Sequence, residues 1–248
     1  MGQFEGKVAL VLGAGAANNI GQSIAARFAA EGAAVMVAGR NDEELARFAA
    51  QIGGDSWRCD ITNEDDLAAL VDQTRRRFGG LDIAVNATGL NQLKPFLDVT
   101  RAELDQVVEV QFVGTFLFMQ AVLRGISDGG SIIQISSVTA SALMPNHAAY
   151  MATKAAGDVL VRSAAAEFGR KGVRVNSIAP AATEGTPMAR AALADETIRA
   201  RIRKTTPLGR IGTTDDVAEA AVWLASDGNF ITGEVLQVNG GAALHQLG

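Results

Sequence analysis

Short, wholly apolar runs alternate along this chain with longer stretches of helical periodicity. Val8-Ala9-Leu10-Val11-Leu12 is apolar throughout and meets a glycine-rich turn, as a strand buried on both faces does. Ile20 to Ala30 then has helical spacing, Ala34 to Ala38 reads as a strand, and Asn41 with Glu44 caps a helix ending near Gly53-Gly54. Trp57-Arg58-Cys59 predicts a third strand, Thr62-x-x-Asp65 a helix start, and Leu81 to Val85 a fourth strand. Thr100 and Glu103 form a capping-box pattern ahead of a long helix reaching about Arg124, and Ser131 to Ile135 reads as a strand. A second long helix is expected over about Ala149 to Phe168, then a strand at Val173 to Ile178. A helix opened by Thr213-x-x-Asp216 runs through Ala225, and Glu234 to Val238 is the last strand. Strands alternating with helices predict parallel pairing with both sheet faces covered. The expected fold is therefore α/β, a doubly wound parallel seven-stranded sheet in one domain spanning 1–248. Residues from about 181 to 205, rich in small side chains and following a strand's C-terminal end, suit either a surface excursion or a substrate loop.

Composition narrows the partners. With 248 residues, 48% of them hydrophobic, the chain can bury a sizeable core. Its net charge of -5 gives no basic surplus for nucleic acid or an anionic membrane. The lone Cys59 cannot form an intrachain disulfide and excludes a thiolate metal site. His147 and His245 are the only histidines, and no clustered ligand set is seen, so no metal is expected. The start of the sequence lacks the pattern of a secretory leader, and no later apolar run is expected to reach membrane-spanning length without interruption, so a cytoplasmic location is the expectation.

The first strand runs into Gly13-Ala14-Gly15-Ala16-Ala17-Asn18-Asn19-Ile20-Gly21. Glycines at a strand-to-helix crossing permit a tight turn and close backbone approach, and the helix N-terminus offers free N-H groups to a pyrophosphate. The spacing resembles the Gly-x-x-x-Gly-x-Gly turn of the short-chain dehydrogenase/reductase family, with two extra residues and Asn19 in place of the middle glycine. Asn is among the side chains that tolerate a left-handed backbone. Asn86-Ala87-Thr88-Gly89 resembles that family's Asn-Asn-Ala-Gly, Asn176 to Ala181 its Asn-x-x-x-Pro-Gly, and Gln111-Phe112-Val113-Gly114-Thr115-Phe116 its Asn-x-x-Gly-x-Phe. Tyr150-Met151-Ala152-Thr153-Lys154 matches Tyr-x-x-x-Lys, with Ser137 thirteen residues upstream at a strand end. Taken alone, a Tyr/Lys pair at this spacing is usually a solvated surface pair.

The resemblance covers nearly the whole chain and implies a Rossmann fold, with Ser137, Tyr150 and Lys154 as catalytic residues and Gln111 in the place of a fourth. Ser137 would polarise a substrate oxygen, Tyr150 would serve as acid/base, and Lys154 would favour the phenolate and bind the nicotinamide ribose. Cofactor contacts are expected from Gly13, Gly15, Asn19, Ile20, Gly21, Arg40, Asp60, Asn86, Gly89, Tyr150, Lys154, Ile178 and Thr186. An acidic residue where Gly39 stands would accept bonds from the ribose of NAD. Arg40 directly after it instead favours the 2'-phosphate of NADP(H), with NAD(H) left open.

The implied activity is interconversion of a ketone and a secondary alcohol, 3-oxoacyl-carrier-protein reduction being a narrower form. A nucleotide-responsive binding or assembly protein retaining the fold is the other reading, supported by Gln111, Ala87 and the altered glycine turn. Leu90, Phe96, Leu143, Met144, Met188 and Ala192 are candidates to line an apolar substrate pocket. The resemblance also implies a homotetramer built through the two long helices and the last strand region, with Ala164 and Ala165 as test positions on the assembly face.

Overall fold

The computed structural model describes residues 2–244, which leaves His245 outside the described residues. Seven parallel strands form the main sheet in the order β3-β2-β1-β4-β5-β6-β9. They are β1 (Val8–Leu12), β2 (Ala34–Gly39), β3 (Asp55–Arg58), β4 (Ile83–Asn86), β5 (Ser131–Ile135), β6 (Arg174–Pro180) and β9 (Val235–Val238). A two-stranded pair, β7 (Thr183–Glu184) and β8 (Gly212–Thr213), lies outside it. The order reverses between β1 and β4, the kind of crevice at which doubly wound sheets bind ligands.

Helices cover both faces. On one face α1 (Ile20–Ala30), α2 (Asp42–Ile52) and α9 (Thr214–Ala225) pack Ile24, Phe28, Leu45, Phe48, Val217 and Ala221 onto Ala9, Val11, Val35 and Val37. The other face takes Leu10, Leu12, Met36 and Ala38, covered by Leu67, Leu70, Phe118, Val122 and Val161. These belong to α3 (Glu64–Phe78), α5 (Gly114–Gly125) and α6 (Ala148–Phe168). β1 thus sends alternate residues into two cores, which explains a run with no polar position. α4 (Arg101–Val108), α7 (Pro187–Leu193) and α8 (Glu196–Thr205) complete the helices.

Several expectations need correction. The third helix is capped by Asn63, whose side chain accepts from Asp65 N and Asp66 N, because Thr62 is bound to Asp60 instead. The long helix from Arg101 is one run but not one geometry: Glu109–Val113 forms a π turn between α4 and α5. That run reaches the length and apolar character of a membrane span, contrary to the expectation that none would. Phe118, Met119 and Val122 within it are buried in the core. Ala164 and Ala165 are also core residues, 8% and 5% exposed, so they are not an outer assembly face. The outward side of α6 carries Val159 instead.

Candidate active site

The glycine turn is built by close packing. Gly13 has φ +104, and a Cβ there would fall 2.5 Å from the Ala87 carbonyl carbon; one at Gly21 would meet Gly13 O at 2.7 Å. Besides Gly13, the residue of the loop with positive φ is Asn18, at φ 59. Asn19, expected to use that conformation, is extended and caps α1: its Oδ1 accepts from Gln22 N at 2.9 Å while its Nδ2 donates to Gly13 O at 2.7 Å. The cap therefore does in side chain what a glycine would have done in backbone. Ile20 opens α1, so the helix N-terminus faces the crevice.

Gly39 lies against this turn, a Cβ there being 3.0 Å from Gly15 N, and a Cβ at Gly15 would sit 3.4 Å from Arg40 N. Arg40 is exposed and makes no ion pair among the described residues. Asp60 accepts from Thr62 N at 3.0 Å and Thr62 Oγ1 at 2.9 Å; despite burial its carboxyl is held below the ordinary range, chiefly by these bonds. Glycine cradle, helix N-terminus and an exposed cation at the β2 end together fit a nicotinamide dinucleotide.

At the β4 end, Asn86 is fully buried, donating to Thr115 Oγ1 at 3.3 Å and accepting from Thr88 N and Oγ1. The chain continues past Gly89, where a Cβ would lie 3.5 Å from Gln111 Oε1, 3.6 Å from Lys154 Nζ and 3.6 Å from Met188 Cε. Gln111, Lys154 and the start of α7 therefore converge on Gly89. The π turn places Gln111 inside, 3% exposed, with Nε2 donating to Thr153 Oγ1 at 2.7 Å and Oε1 accepting from Leu90 N at 3.3 Å. A Cβ at Gly114 would meet Ile61 Cγ1 at 2.9 Å, so the bulge needs glycine behind it.

Ser137 ends the β5 excursion and caps a short turn, its Oγ accepting from Thr139 N at 3.2 Å. Tyr150 lies in the first turn of α6, 8% exposed. Burial pushes its phenol above the ordinary value, and a hydrogen-bonding interaction with Ser137 pulls the other way. Lys154, one turn on, is 5% exposed, with Nζ 5.8 Å from the Tyr150 ring centre. Nζ donates to Ile135 O at 2.8 Å and Thr88 O at 3.5 Å. Burial pushes this ammonium down to about 8, with Asp158 opposing the shift. Ser137, Tyr150 and Lys154 thus share one buried site, next to Gln111 and Gly89. The solvated-pair reading of Tyr150 and Lys154 does not survive their burial.

The remaining candidates divide. Thr186 caps α7, accepting from Ala189 N at 3.2 Å and donating to Thr183 O at 3.0 Å. Its neighbour Gly185 lies alongside the nucleotide turn, a Cβ there being 3.9 Å from Asn18 O. Ile178 is wholly buried among core residues and presents no side-chain surface to a ligand. Leu143 and Phe96, proposed for a pocket lining, stand in solvent at 92% and 77% exposure. His147 Nδ1 lies 2.8 Å from Pro145 O, and its ring packs edge-on to Tyr150 at 6.2 Å.

Two polar residues escaped the sequence reading. Gln92 is 6% exposed with neither amide atom bonded, on the segment between Leu90, held by Gln111, and Lys94, whose N donates to Asn146 O at 2.8 Å. Asp158, buried on α6, accepts from Ser136 and Ser177. No local pattern signals either, since both depend on chain segments far away in sequence.

Residues 13–243 match a family model described as Enoyl-(Acyl carrier protein) reductase. The chain is 37% identical over 248 residues to a 2,5-dichloro-2,5-cyclohexadiene-1,4-diol dehydrogenase of Sphingobium indicum, covering 97% of this chain and 98% of that one. Among solved structures, a short-chain type dehydrogenase/reductase from Mycobacterium ulcerans superposes with a TM-score of 0.93 at 35% identity, covering 98% of this chain and 91% of its own. A gluconate 5-dehydrogenase from Burkholderia cenocepacia, solved with NADP and tartrate, gives 0.89 at 31% identity over 97% of each chain. Glycine turn, buried Ser137/Tyr150/Lys154 site and near full-length similarity agree: the chain belongs to the short-chain dehydrogenase/reductase family.

Proposed function

We propose that this protein is an NADP-dependent oxidoreductase that interconverts a carbonyl and a secondary alcohol, with Tyr150 as the proton donor and acceptor. The observation that carries this reading is the burial of Tyr150 and Lys154 in one site with Ser137, beside a turn shaped for a dinucleotide. When bound, the nicotinamide supplies or takes the hydride at its C4. The protein handles the proton: Tyr150 Oη gives it to the carbonyl oxygen in reduction and removes it from the alcohol in oxidation. Ser137, already interacting with the phenol, holds the same substrate oxygen. Burial disfavours the phenolate and the interaction with Ser137 acts against that effect; the Lys154 charge and the oxidised cofactor's charge would add to the latter in bringing the phenol toward neutral pH.

Arg40 supports the NADP choice, being exposed, unpaired among the described residues and adjacent to the glycine turn, with no carboxylate at position 39. One domain, with 181–205 on the substrate side, fits Met188 reaching Gly89. A homotetramer accounts for the exposure of Phe112, Phe116, Val159, Trp223 and Phe230. Light scattering should then report four times the 25.8 kDa chain mass, and an active monomer would end that part of the reading.

The similar proteins named for a cyclic diol and for gluconate put cyclic and sugar-derived alcohols and ketones first among substrates. The test is paired NADPH and NADH consumption over cyclic ketones, aromatic ketones, sugar-derived ketones and 3-oxoacyl thioesters. Turnover with NADPH preferred is expected. Tight cofactor binding without turnover on any of them would instead favour a non-catalytic, nucleotide-responsive protein.

A further inference from the structure

A buried acid lies one helical turn beyond Lys154. Asp158 is four residues further along α6, a spacing that stacks side chains on one face with Cβ atoms about 5–6 Å apart. It is 6% exposed, and its carboxylate is held from two strands: Ser136 Oγ donates to Oδ2 at 3.0 Å and Ser177 Oγ to Oδ1 at 2.7 Å. Ser136 immediately precedes the site serine, Ser137.

The bonds belong to a larger polar strip. Asn86, Gln134 and Ser177 stand side by side in register across β4, β5 and β6, and Ser136 follows Gln134 by two positions. Gln134 is 3% exposed and donates Nε2 to Ile135 O at 3.2 Å, the carbonyl that also receives Lys154 Nζ at 2.8 Å. A layer of polar side chains therefore lies under the catalytic helix, where an apolar core is the rule.

The layer has a physical task. Lys154 is buried with only neutral carbonyl acceptors, and an ammonium in that setting tends to lose its proton. Asp158 is likewise buried, and two hydroxyl donors favour its ionised form.

We propose that Asp158 is a positioning residue for the reaction assigned above: it clamps α6 to the end of β5 and the middle of β6, and it supplies the negative charge that keeps Lys154 protonated. The clamp fixes the strand end carrying Ser137 against the helix carrying Tyr150 and Lys154. The groups facing the acid are Ser136 and Ser177 from the strands, with Lys154 and Arg162 on its own helix; Tyr150 and Asp158 are the titratable groups near Lys154. Burial raises the Asp158 carboxyl, while both hydroxyls, Lys154 and Arg162 act against that rise. Removing the carboxylate takes a negative charge away from a buried cation, so the Lys154 midpoint must fall.

The test needs no turnover. The chain has five lysines, so carbon-13 labelling at Cε gives a spectrum in which Lys154 is identified by its loss in Lys154→Arg. In the cofactor-free parent it should titrate near 8. In Asp158→Asn, close in shape, the midpoint should move down by about one pH unit, and the alkaline limb of the pH dependence of kcat should move the same way with little change in KM. A Lys154 midpoint within about 0.2 unit of the parent in the folded variant would overturn the proposal. Should Asp158→Asn fail to fold, Asp158→Ser removes the charge while leaving a hydroxyl toward Ser136 and Ser177. The same downward shift is then expected, and an unchanged titration again overturns the proposal. A Lys154 shift in a protein that turns over no substrate would support the charge coupling and reject the assigned reaction.

Discussion

The two cations proposed to meet the cofactor sit in opposite surroundings. Lys154 is 5% exposed and tied to two carbonyl oxygens before anything binds, whereas Arg40 stands in solvent at the end of β2 without an ion pair among the described residues. A buried charge is little screened and acts through its effect on neighbours, but it must be supported by the fold. An exposed charge needs no support and is worth little until a phosphate meets it. On the proposed function, the fold would separate two duties: chemistry at the buried end, choice of cofactor at the open end.

The buried end should break hardest. Tyr150→Phe is expected to keep the fold and dinucleotide binding while turnover falls by about 100-fold or more; near-parental kcat in the purified variant would remove Tyr150 from the mechanism. Lys154→Ala should cost turnover at least about 10-fold and weaken NADPH and NADH alike, because both carry the ribose assigned to it. A change confined to melting temperature would contradict that. Between the two ends, Gly13→Ala should lower unfolding stability by about 2 kcal/mol or more, since φ is +104 and the added methyl meets the Ala87 backbone. Denaturant melts would show it.

Arg40→Ala gives the sharper contrast with Lys154. NADPH affinity should fall by about 10-fold with NADH almost unchanged, measured by fluorescence titration, since only NADPH carries the phosphate. Equal losses would reject the assigned discrimination. The smallest effect is that of salt. Raising ionic strength should erode the parent's preference for NADPH while leaving the Lys154 midpoint near 8, because screening reaches only the exposed charge.

Local patterns made much of the scaffold legible. Val8–Leu12 and Ile20–Ala30 fall where periodicity put them, and both capping boxes, Thr100 with Glu103 and Thr213 with Asp216, close as their spacing predicts. The proximity of Ser137, Tyr150 and Lys154 was legible because a helix and a strand end carry them. Misreadings arose where two local options compete, as when Thr62 binds Asp60 and leaves the cap to Asn63, or when Asn18 takes the left-handed backbone expected of Asn19. Asp158 was illegible for another reason: its partners lie 22 and 19 residues away, and only the sheet register brings them together. Gln92 resembles any loop glutamine until its burial is seen.

The π turn at Glu109–Val113 amounts to a phase slip in an otherwise continuous spiral. One residue advances a regular helix by about 100°, so a single surplus residue lets α4 aim its apolar stripe at α6 while α5 aims its own at α3. A regular helix would turn one of those stripes by about 100° relative to the other. Deleting one residue from that turn would restore the regular helix, swing one of the two stripes out of alignment and turn Gln111 away from Thr153. The defect is therefore a splice joining two packing registers, and the amide at the site is lodged in the splice.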